Sequence, residues 1–177
     1  MAKKKKVPQQ QALSPERYIK EKARLLPIVE CWITDGWDKC GLGTAIVARQ
    51  HKNGNYTLGI YMFDTFCCGL TDSLYHFNVP EYEYREMLEE GCATLEMNPI
   101  SYEELHNLIY GAVAFAEEAG LGPHSSFKLT QYILEEDTDE IPLIEYEFGK
   151  DGKHFLVATS RFQAVSYTHL RAHETRG

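Results

Sequence analysis

The densest group of chemically reactive side chains follows the longest apolar run of the chain. Asp64, Cys67, Cys68 and Asp72 lie within nine residues, and His76 follows shortly afterwards. Carboxylates suit Mg²⁺ or Mn²⁺, whereas thiolates and imidazole suit Zn²⁺. These positions predict either a hard-metal site on Asp64 and Asp72 or a thiol site on Cys67.

The spacing of these residues matches no established ligand motif, so a structural interpretation stays open beside the chemical one. Cys67 and Cys68 would then be buried small hydrophobes, because buried thiols are usually inert. Asp64 and Asp72 would accept backbone hydrogen bonds and cap the turn at Gly69.

His106 lies at the flank of the apolar stripe of a predicted helix. A Cys–His catalytic pair between Cys67 and His106 is geometrically possible. The alternative is a boundary histidine that is hydrogen-bonded to a neighbour. His124 lies just before another predicted helix. It belongs either to an anion site at the N-terminus of that helix or to a surface turn. The candidate catalytic residues are Asp64, Cys67, Asp72 and His106, and the candidate metal ligands are Asp64 and Asp72.

The apolar run before this group predicts a strand that is covered on both sides. From residue 56 to residue 68 both alternating sets of side chains are apolar, unlike those of a half-solvated edge strand. Asp64 is the exception, since burying a carboxylate without a partner is expensive. Asn53-Gly54 before the run is a strong hairpin signal in which both residues take positive φ. It predicts antiparallel pairing of residues 42–50 with the run.

The remaining pattern predicts further strands and helices around this hairpin. Ser14 and Pro15 begin a helix that stops before Pro27. Ser101 and Glu104 form a capping box for a helix that ends at Gly120. The other predicted segments are strands at residues 28–34 and 73–79, helices at 80–90 (ending at Gly91, with Tyr84, Met87 and Leu88 buried) and 127–134, and a hairpin of strands at 144–148 and 154–158.

These segments predict one α+β domain over residues 14–164. Its order is β-β-β-β-α-α-α-β-β after the N-terminal helix, with a mostly antiparallel sheet and helices packed on it. Residues 1–13 are expected to form a disordered basic tail.

The charge of the chain is distributed unevenly. Residues 1–24 carry eight Lys and Arg against two Glu, a net charge of +6, whereas residues 25–164 carry eight basic and 23 acidic residues, a net charge of −15. The body should repel a phosphate backbone, so nucleic acid would be contacted by the basic arm through Lys3, Lys4, Lys5 and Lys6. The alternative is a solvated tail that aids solubility.

Several classes of protein are excluded because the sequence lacks their characteristic motifs. The sequence has no GxxxxGK[ST] loop, no GxGxxG after a strand, no GxSxG elbow and no HExxH.

No apolar run approaches the ~18 residues that cross a bilayer, and the basic N-terminus lacks the apolar segment of a signal peptide. The five Cys form no CxxC pair, which is typical of a reducing compartment. We therefore expect a cytoplasmic protein without a membrane partner.

Three blocks of sequence resemble a family of small uncharacterised bacterial proteins. They are FDTFCCGLTDSLYHF at residues 63–77, HNLIYGAVAFAEEAGLGPHSSF at 106–127 and IEYEFGKDGKHFLV at 144–157. The family has an Asp-x-x-Cys-x-Gly-x-x-Asp block and a helix that ends in Gly-x-x-Pro-His. The resemblance covers roughly residues 14–158 and implies no activity. Its pattern falls on Asp64, Cys67, Gly69, Asp72, His106, Gly111, Pro123 and His124, and the chain departs from it at Cys68, Leu70 and Thr71, where the family has aliphatic and Lys residues.

The last residues resemble something else. The peptide VSYTHLRAHET, which begins at Val165, is similar to translated sequencing-adapter DNA at the ends of unrelated metagenomic reading frames. Residues 165–177, including His169 and His173, are therefore expected not to be native protein.

The sequence favours a non-catalytic cytoplasmic accessory or interaction domain with a protein partner and no cofactor. Its basic arm would contact nucleic acid or an acidic partner. The alternative hypothesis is a metal- or thiol-dependent enzyme, similar to a hydrolase or nuclease and centred on Asp64, Cys67 and Asp72. The metal-dependent form of that enzyme would use a divalent metal, and the substrates would be phosphoesters.

Overall fold

The computed structural model describes residues 12–94 and 96–156, apart from the side chains of residues 92–94. The predicted basic tail lies almost entirely outside the described residues. The proposed non-native tail at 165–177 and the predicted domain end at residue 164 also lie outside them.

The described residues form an α+β fold, which confirms the predicted class. In chain order the elements are α1 (Pro15–Lys22), a 3-10 turn (Ala23–Leu25), β1 (Ile28–Thr34), α2 (Trp37–Cys40), β2 (Leu42–Gln50), β3 (Tyr56–Asp64), β4 (Gly69–Val79), α3 (Glu81–Thr94), β5 (Met97–Pro99), α4 (Tyr102–Glu118), α5 (Phe127–Thr130) and a second 3-10 turn (Gln131–Ile133). The strands form one sheet in the order β4-β3-β2-β1-β5, and every neighbouring pair is antiparallel.

Strand β3 lies inside the sheet and is covered on both faces, as its two apolar sets of side chains predict. Tyr61 and Phe63 belong to a large core with α1, α4 and α5, on what we call the inner face. Tyr56 and Leu58 belong to a smaller core under Tyr84 of α3, on the outer face. Alternate residues of one strand therefore hold two layers of helices onto the sheet.

The predicted helix signals are largely confirmed. Ser14 Oγ accepts a hydrogen bond from the backbone of Arg17 at 3.3 Å and caps α1. Ser101 and Glu104 form the reciprocal capping box of α4, and Gly120 follows its end with a φ of 78°. These ends depend on hydrogen bonds within a few residues, which is why local sequence predicts them.

The hairpin between β2 and β3 is confirmed, but its turn differs from the predicted one. The pairing runs in register from Leu42 and Asp64 to Gln50 and Tyr56. Of the two turn residues only Gly54 has positive φ, at 88°. Asn53 instead uses its side-chain oxygen to accept from the backbone of Asn55 at 2.9 Å. A side-chain hydrogen bond thus replaces the strained backbone conformation at Asn53.

Three other boundaries differ from the predictions. Helix α3 continues through Gly91, which lacks the positive φ of a helix cap. It buries Tyr84 as predicted, whereas Met87 and Leu88 are only partly buried. Strand β4 begins at Gly69, four residues earlier than predicted. The predicted helix at 127–134 is one α-helical turn followed by a 3-10 turn. The short strand β5 was not expected from the sequence.

Over residues 144–156, the described part of the predicted hairpin, the chain does not form a pair of strands. Within the described part of this segment, backbone pairing is limited to one bridge between Lys150 and Lys153. The backbone of Gly149 instead donates to Thr65 O at 2.8 Å, and Phe155 donates to Phe66 O at 2.8 Å. The segment binds the β3–β4 turn rather than itself, which is why the strand prediction was wrong.

No helix within the described ranges is both long and apolar enough to cross a membrane.

Candidate functional site

The β3–β4 turn, residues 65–68, is closed by the carboxylate of Asp64. Its Oδ1 accepts hydrogen bonds from the backbone of Phe66 at 2.9 Å and of Cys67 at 3.2 Å, and its Oδ2 accepts from Cys68 at 3.2 Å. The residue is 5% exposed. Backbone amides engage both oxygens, so the structural interpretation of Asp64 as a turn cap is confirmed.

The same turn is enclosed by its neighbours. Gly69 has a φ of 68°, and a Cβ at this position would lie 2.8 Å from the carbonyl oxygen of Ala112 in α4. Thr65 also donates to Gly41 O, from its backbone at 2.7 Å and from its hydroxyl at 3.0 Å. The turn is therefore a packed joint between the sheet and α4.

The two adjacent cysteines are poorly suited to act as thiolates. Cys67 is buried and Cys68 is half-buried. A hydrogen bond with Cys67, together with burial and the nearby negative charge of Asp64, raises the pKa of the Cys68 thiol well above its ordinary value. A raised pKa lowers the thiolate fraction at neutral pH and with it the reactivity of Cys68.

Asp72 and His76 lie on β4, away from the turn. Asp72 is half-exposed; its Oδ1 accepts from the backbone of Ser73 at 2.8 Å and lies 3.4 Å from Nδ1 of His124. In the pairing of β3 with β4, Asp64 lies opposite Gly69 and Asp72 lies opposite Met62, and the register shifts between these two pairs. His76 lies opposite Leu58, further along β4. His124 is exposed before α5, which has only four residues.

His106 is buried in a separate hydrogen-bond network. Its Nδ1 lies 2.8 Å from the hydroxyl of Tyr102, and its Nε2 lies 3.1 Å from Oδ1 of Asp137. Its ring also packs on Tyr110. Both ring nitrogens have partners other than Cys67, which confirms the interpretation as a hydrogen-bonded histidine at the edge of a helix stripe.

The structure brings Asp64, Cys67 and Cys68 together in one turn, but places Asp72 and His106 elsewhere. Across the part of the chain that the structure describes, no group of three or more His, Cys, Asp or Glu is arranged to hold a metal ion. A metal at Asp64 and Asp72, and catalysis at Cys67, stay predictions without support from this geometry.

A surface groove of about 600 Å³ lies between α1, the tip of the β2–β3 hairpin and the end of β4. We call it the α1–hairpin groove. Three aromatic rings line it, those of Tyr18, His51 and Phe77, together with the lysines Lys22 and Lys52. The rings contact one another: Tyr18 lies 5.1 Å from Phe77 and 5.5 Å from His51 between ring centroids.

The lysines of this groove are available for a ligand. The side-chain amines of Lys22 and Lys52 have neither a hydrogen bond nor an ion pair with any described residue, whereas Arg17 pairs with Glu21 and Arg24 donates to Leu134 O. No Asp or Glu is among the described residues that line the groove. An anion would therefore meet two cations without a competing carboxylate.

Two other clefts carry acidic groups. The cleft between α4 and α5, of about 470 Å³, is lined by Glu117 and Asp137 as well as Lys128. A third cleft, of about 450 Å³, combines Arg24 with four carboxylates from the acidic loop at residues 135–140. The α1–hairpin groove thus differs from both in the sign of its charge.

Sequence reasoning missed this groove, although parts of it leave a signal. Tyr18 and Lys22 are four residues apart on a predicted helix and so share a face. The Asn-Gly turn places Lys52 at a hairpin tip. Phe77 reaches the groove only through the register of β4, which the local sequence pattern does not specify.

Comparisons with models of protein families, with curated proteins and with solved structures each find no match to this chain. The resemblance of the three sequence blocks to a bacterial family therefore stays a prediction. Function is inferred from the turn, the groove and the distribution of charge.

Proposed function

We propose that this protein is a cytoplasmic accessory domain that contacts nucleic acid through the basic end of its chain. One observation carries the proposal: the basic sequence of residues 1–24 leads through α1 into a groove with two lysines and no described carboxylate. The acidic remainder of the molecule would bind a protein partner.

The distribution of charge would orient the protein on its ligand. Residues 25–164 carry a net charge of −15, so the body is repelled by phosphates while the basic end is attracted. Helix α1 extends the attraction to the folded surface, because Lys20 and Lys22 are exposed and have no ion-pair partner among the described residues. Contact would therefore be limited to one end of the molecule.

A binding role suits the state of the reactive residues better than catalysis does. The Asp64 carboxylate is occupied by three backbone amides, and the pKa of Cys68 is raised. A general base or a nucleophile needs an accessible group that is charged near neutral pH. Asp64 does not meet this need because its oxygens are occupied, and Cys68 does not because its raised pKa disfavours the thiolate.

The salt dependence of oligonucleotide binding tests the proposal. The full chain is titrated into a fluorescently labelled single-stranded oligonucleotide, and anisotropy is followed over a range of salt concentrations. We expect the logarithm of the binding constant to fall linearly with the logarithm of salt concentration. Replacing Lys3, Lys4, Lys5 and Lys6 by Gln should make that slope shallower by up to about 3, because each phosphate that is no longer neutralised reduces it by ~0.7.

A matched variant separates position from net charge. Lys39, Lys128, Lys150 and Lys153 are all exposed and lie outside both the arm and the groove. Replacing these four by Gln changes the net charge equally and should leave the slope nearly unchanged. The proposal is wrong if the wild type binds no oligonucleotide at low salt, or if the control loses as much affinity as the arm variant.

A further inference from the structure

The aromatic rings of the α1–hairpin groove pack against one another. Tyr18 and Phe77 meet edge to face at 61°, and His51 lies 5.7 Å from Phe77 at 87°. All three side chains are half-buried, so each keeps part of its surface for the groove. A fixed aromatic surface loses little conformational entropy when a planar ligand stacks on it.

His51 acts in this cluster as a neutral ring rather than as a cation. Its Nε2 lies 2.6 Å from the hydroxyl oxygen of Thr57, and burial lowers the pKa of the imidazole. At neutral pH the positive charge of the groove therefore comes from Lys22 and Lys52. These lysines belong to different elements, α1 and the hairpin tip, and line the same groove as the aromatic cluster.

The hairpin tip, which carries Lys52, is joined to the end of β4 by hydrogen bonds. The side-chain amide of Asn55 donates to the carbonyl of Asn78 at 3.3 Å, and that of Asn53 donates to the Asn78 side chain at 3.4 Å. Asn53 and Asn78 are exposed and line the groove. Their amides can donate to, and accept from, the edge of a base.

This combination fits an unpaired strand better than a duplex. In a duplex the faces of the bases are stacked on one another, so an aromatic side chain reaches them only if the stack is opened. Unpaired bases stack readily on aromatic rings, and cations beside the rings follow the backbone. The groove volume of about 600 Å³ is that of a pocket for a short piece of a strand rather than a long duplex footprint.

We infer that the α1–hairpin groove binds unpaired bases of single-stranded nucleic acid. A base stacks on the ring of Tyr18 and meets Phe77 at its edge, and the flanking phosphates lie beside Lys22 and Lys52. The inference rests on the proposed function and adds to it the strandedness of the ligand and the residues that discriminate it. The basic arm provides general attraction, and the groove distinguishes single strands from duplexes.

The test compares one labelled mixed-sequence strand, as DNA and as RNA, with the same strand annealed to its complement. Full-length protein should bind the single strands about tenfold more tightly than the duplex, because only they offer base faces. Tyr18→Leu should weaken single-strand binding by about tenfold and leave duplex binding unchanged. Tyr18→Phe, which keeps the ring, should bind as the wild type does.

Three further variants keep the test independent of folding. Tyr82→Leu removes a tyrosine of α3 that is 70% exposed and lies outside the groove, and it should change neither affinity. Lys22→Gln combined with Lys52→Gln alters only exposed or groove-lining amines. It should make the single-strand salt slope shallower by about 1.4, whereas Lys39→Gln with Lys128→Gln should not. Thermal unfolding of each variant identifies any loss of the folded state.

The outcomes separate this inference from the proposed function. Equal affinity of the wild type for single strand and duplex overturns the inference and leaves the proposed function intact. Single-strand affinity that is unchanged in both the folded Tyr18→Leu variant and the double lysine variant does the same. Absence of binding to every oligonucleotide at low salt overturns both.

Discussion

The β3–β4 turn and the α1–hairpin groove lie in the same fold but use their polar side chains in opposite ways. The turn holds the most reactive residue types, yet the oxygens of Asp64 are taken by three backbone amides and Cys67 is buried. The groove holds less reactive types, but the side-chain amines of Lys22 and Lys52 have no hydrogen-bond or ion-pair partner among the described residues. Availability, rather than residue type, distinguishes a binding surface from a structural joint.

The difference follows from what each region must hold together. The turn joins β3 to β4 under α4, where buried amides need acceptors, and Asp64 provides them. The groove is bordered by a helix and a hairpin tip that are already fixed by their own contacts. Its lysines are not needed for folding and can serve a ligand.

Removing the carboxylate of Asp64 should have the largest effect on stability. Asp64→Ala leaves three backbone amides without their acceptor and should lower the free energy of unfolding by about 3 kcal/mol. Asp72→Ala is the matched control, because Asp72 is half-exposed and caps only the adjacent amide. It should cost less than about 1 kcal/mol. Urea unfolding followed by tryptophan fluorescence measures both, and equal losses would contradict the structural role of Asp64.

A methyl group at Gly69 should come next. Gly69 and Gly120 both have positive φ, at 68° and 78°, so Ala at either site carries the same backbone strain. Only at Gly69 would the new Cβ meet α4, at 2.8 Å from Ala112 O, whereas at Gly120 it meets nothing within 4 Å. Gly69→Ala should therefore cost about 2 kcal/mol more than Gly120→Ala. Equal thermal stability of the two variants would show that the turn is not tightly packed against α4.

Cysteine reactivity compares the turn with an ordinary surface. Among the described cysteines, Cys40 is exposed and should be alkylated first by iodoacetamide. Cys68 should react about tenfold more slowly, because burial and the hydrogen bond with Cys67 raise its pKa. Peptide mass spectrometry over a time course gives the order, and Cys40→Ser should remove the fast phase among these described cysteines. Faster labelling of Cys67 or Cys68 would revive the thiol-site hypothesis.

The smallest expected effect is the contribution of His51, a residue of the groove, to the pH dependence of the protein's stability. Burial lowers the pKa of His51 in the folded protein, so the unfolded chain binds its proton more readily. The stability linked to His51 is therefore intact above the ordinary histidine pKa of about 6.5 and declines as the pH falls below it. His51→Gln should flatten the decline of the urea midpoint in that window. The exposed His124→Gln is the control, and an identical change in both variants would contradict the burial of His51.

Local signals in the sequence were sufficient for several parts of the fold. The Ser101–Glu104 capping box and the Asn53-Gly54 hairpin depend on hydrogen bonds between near neighbours, so a few residues determine them. The two apolar sets of β3 predict cover on both faces, because a strand alternates its side chains. The capping role of Asp64 was one of two interpretations, and only the structure decided it.

Other features depend on contacts that are distant in the sequence. The alternation of Ile144, Tyr146 and Phe148 suggests a strand, but Phe148 packs at Gly111 of α4, where a Cβ would lie 2.5 Å from its ring. The groove likewise needs Tyr18 and Phe77 at 5.1 Å, although they are far apart along the chain. Such contacts are set by tertiary packing, which local patterns do not encode.

Photo-cross-linking of the full chain tests the central claim most directly. A single-stranded oligonucleotide with 5-bromouracil is irradiated with the protein, and cross-linked peptides are identified by mass spectrometry after digestion. We expect cross-links at Tyr18, His51 or Phe77, because a base stacked in the α1–hairpin groove lies against these rings. Cross-links found only outside the groove, for example in the β3–β4 turn, would contradict the binding of bases in the α1–hairpin groove.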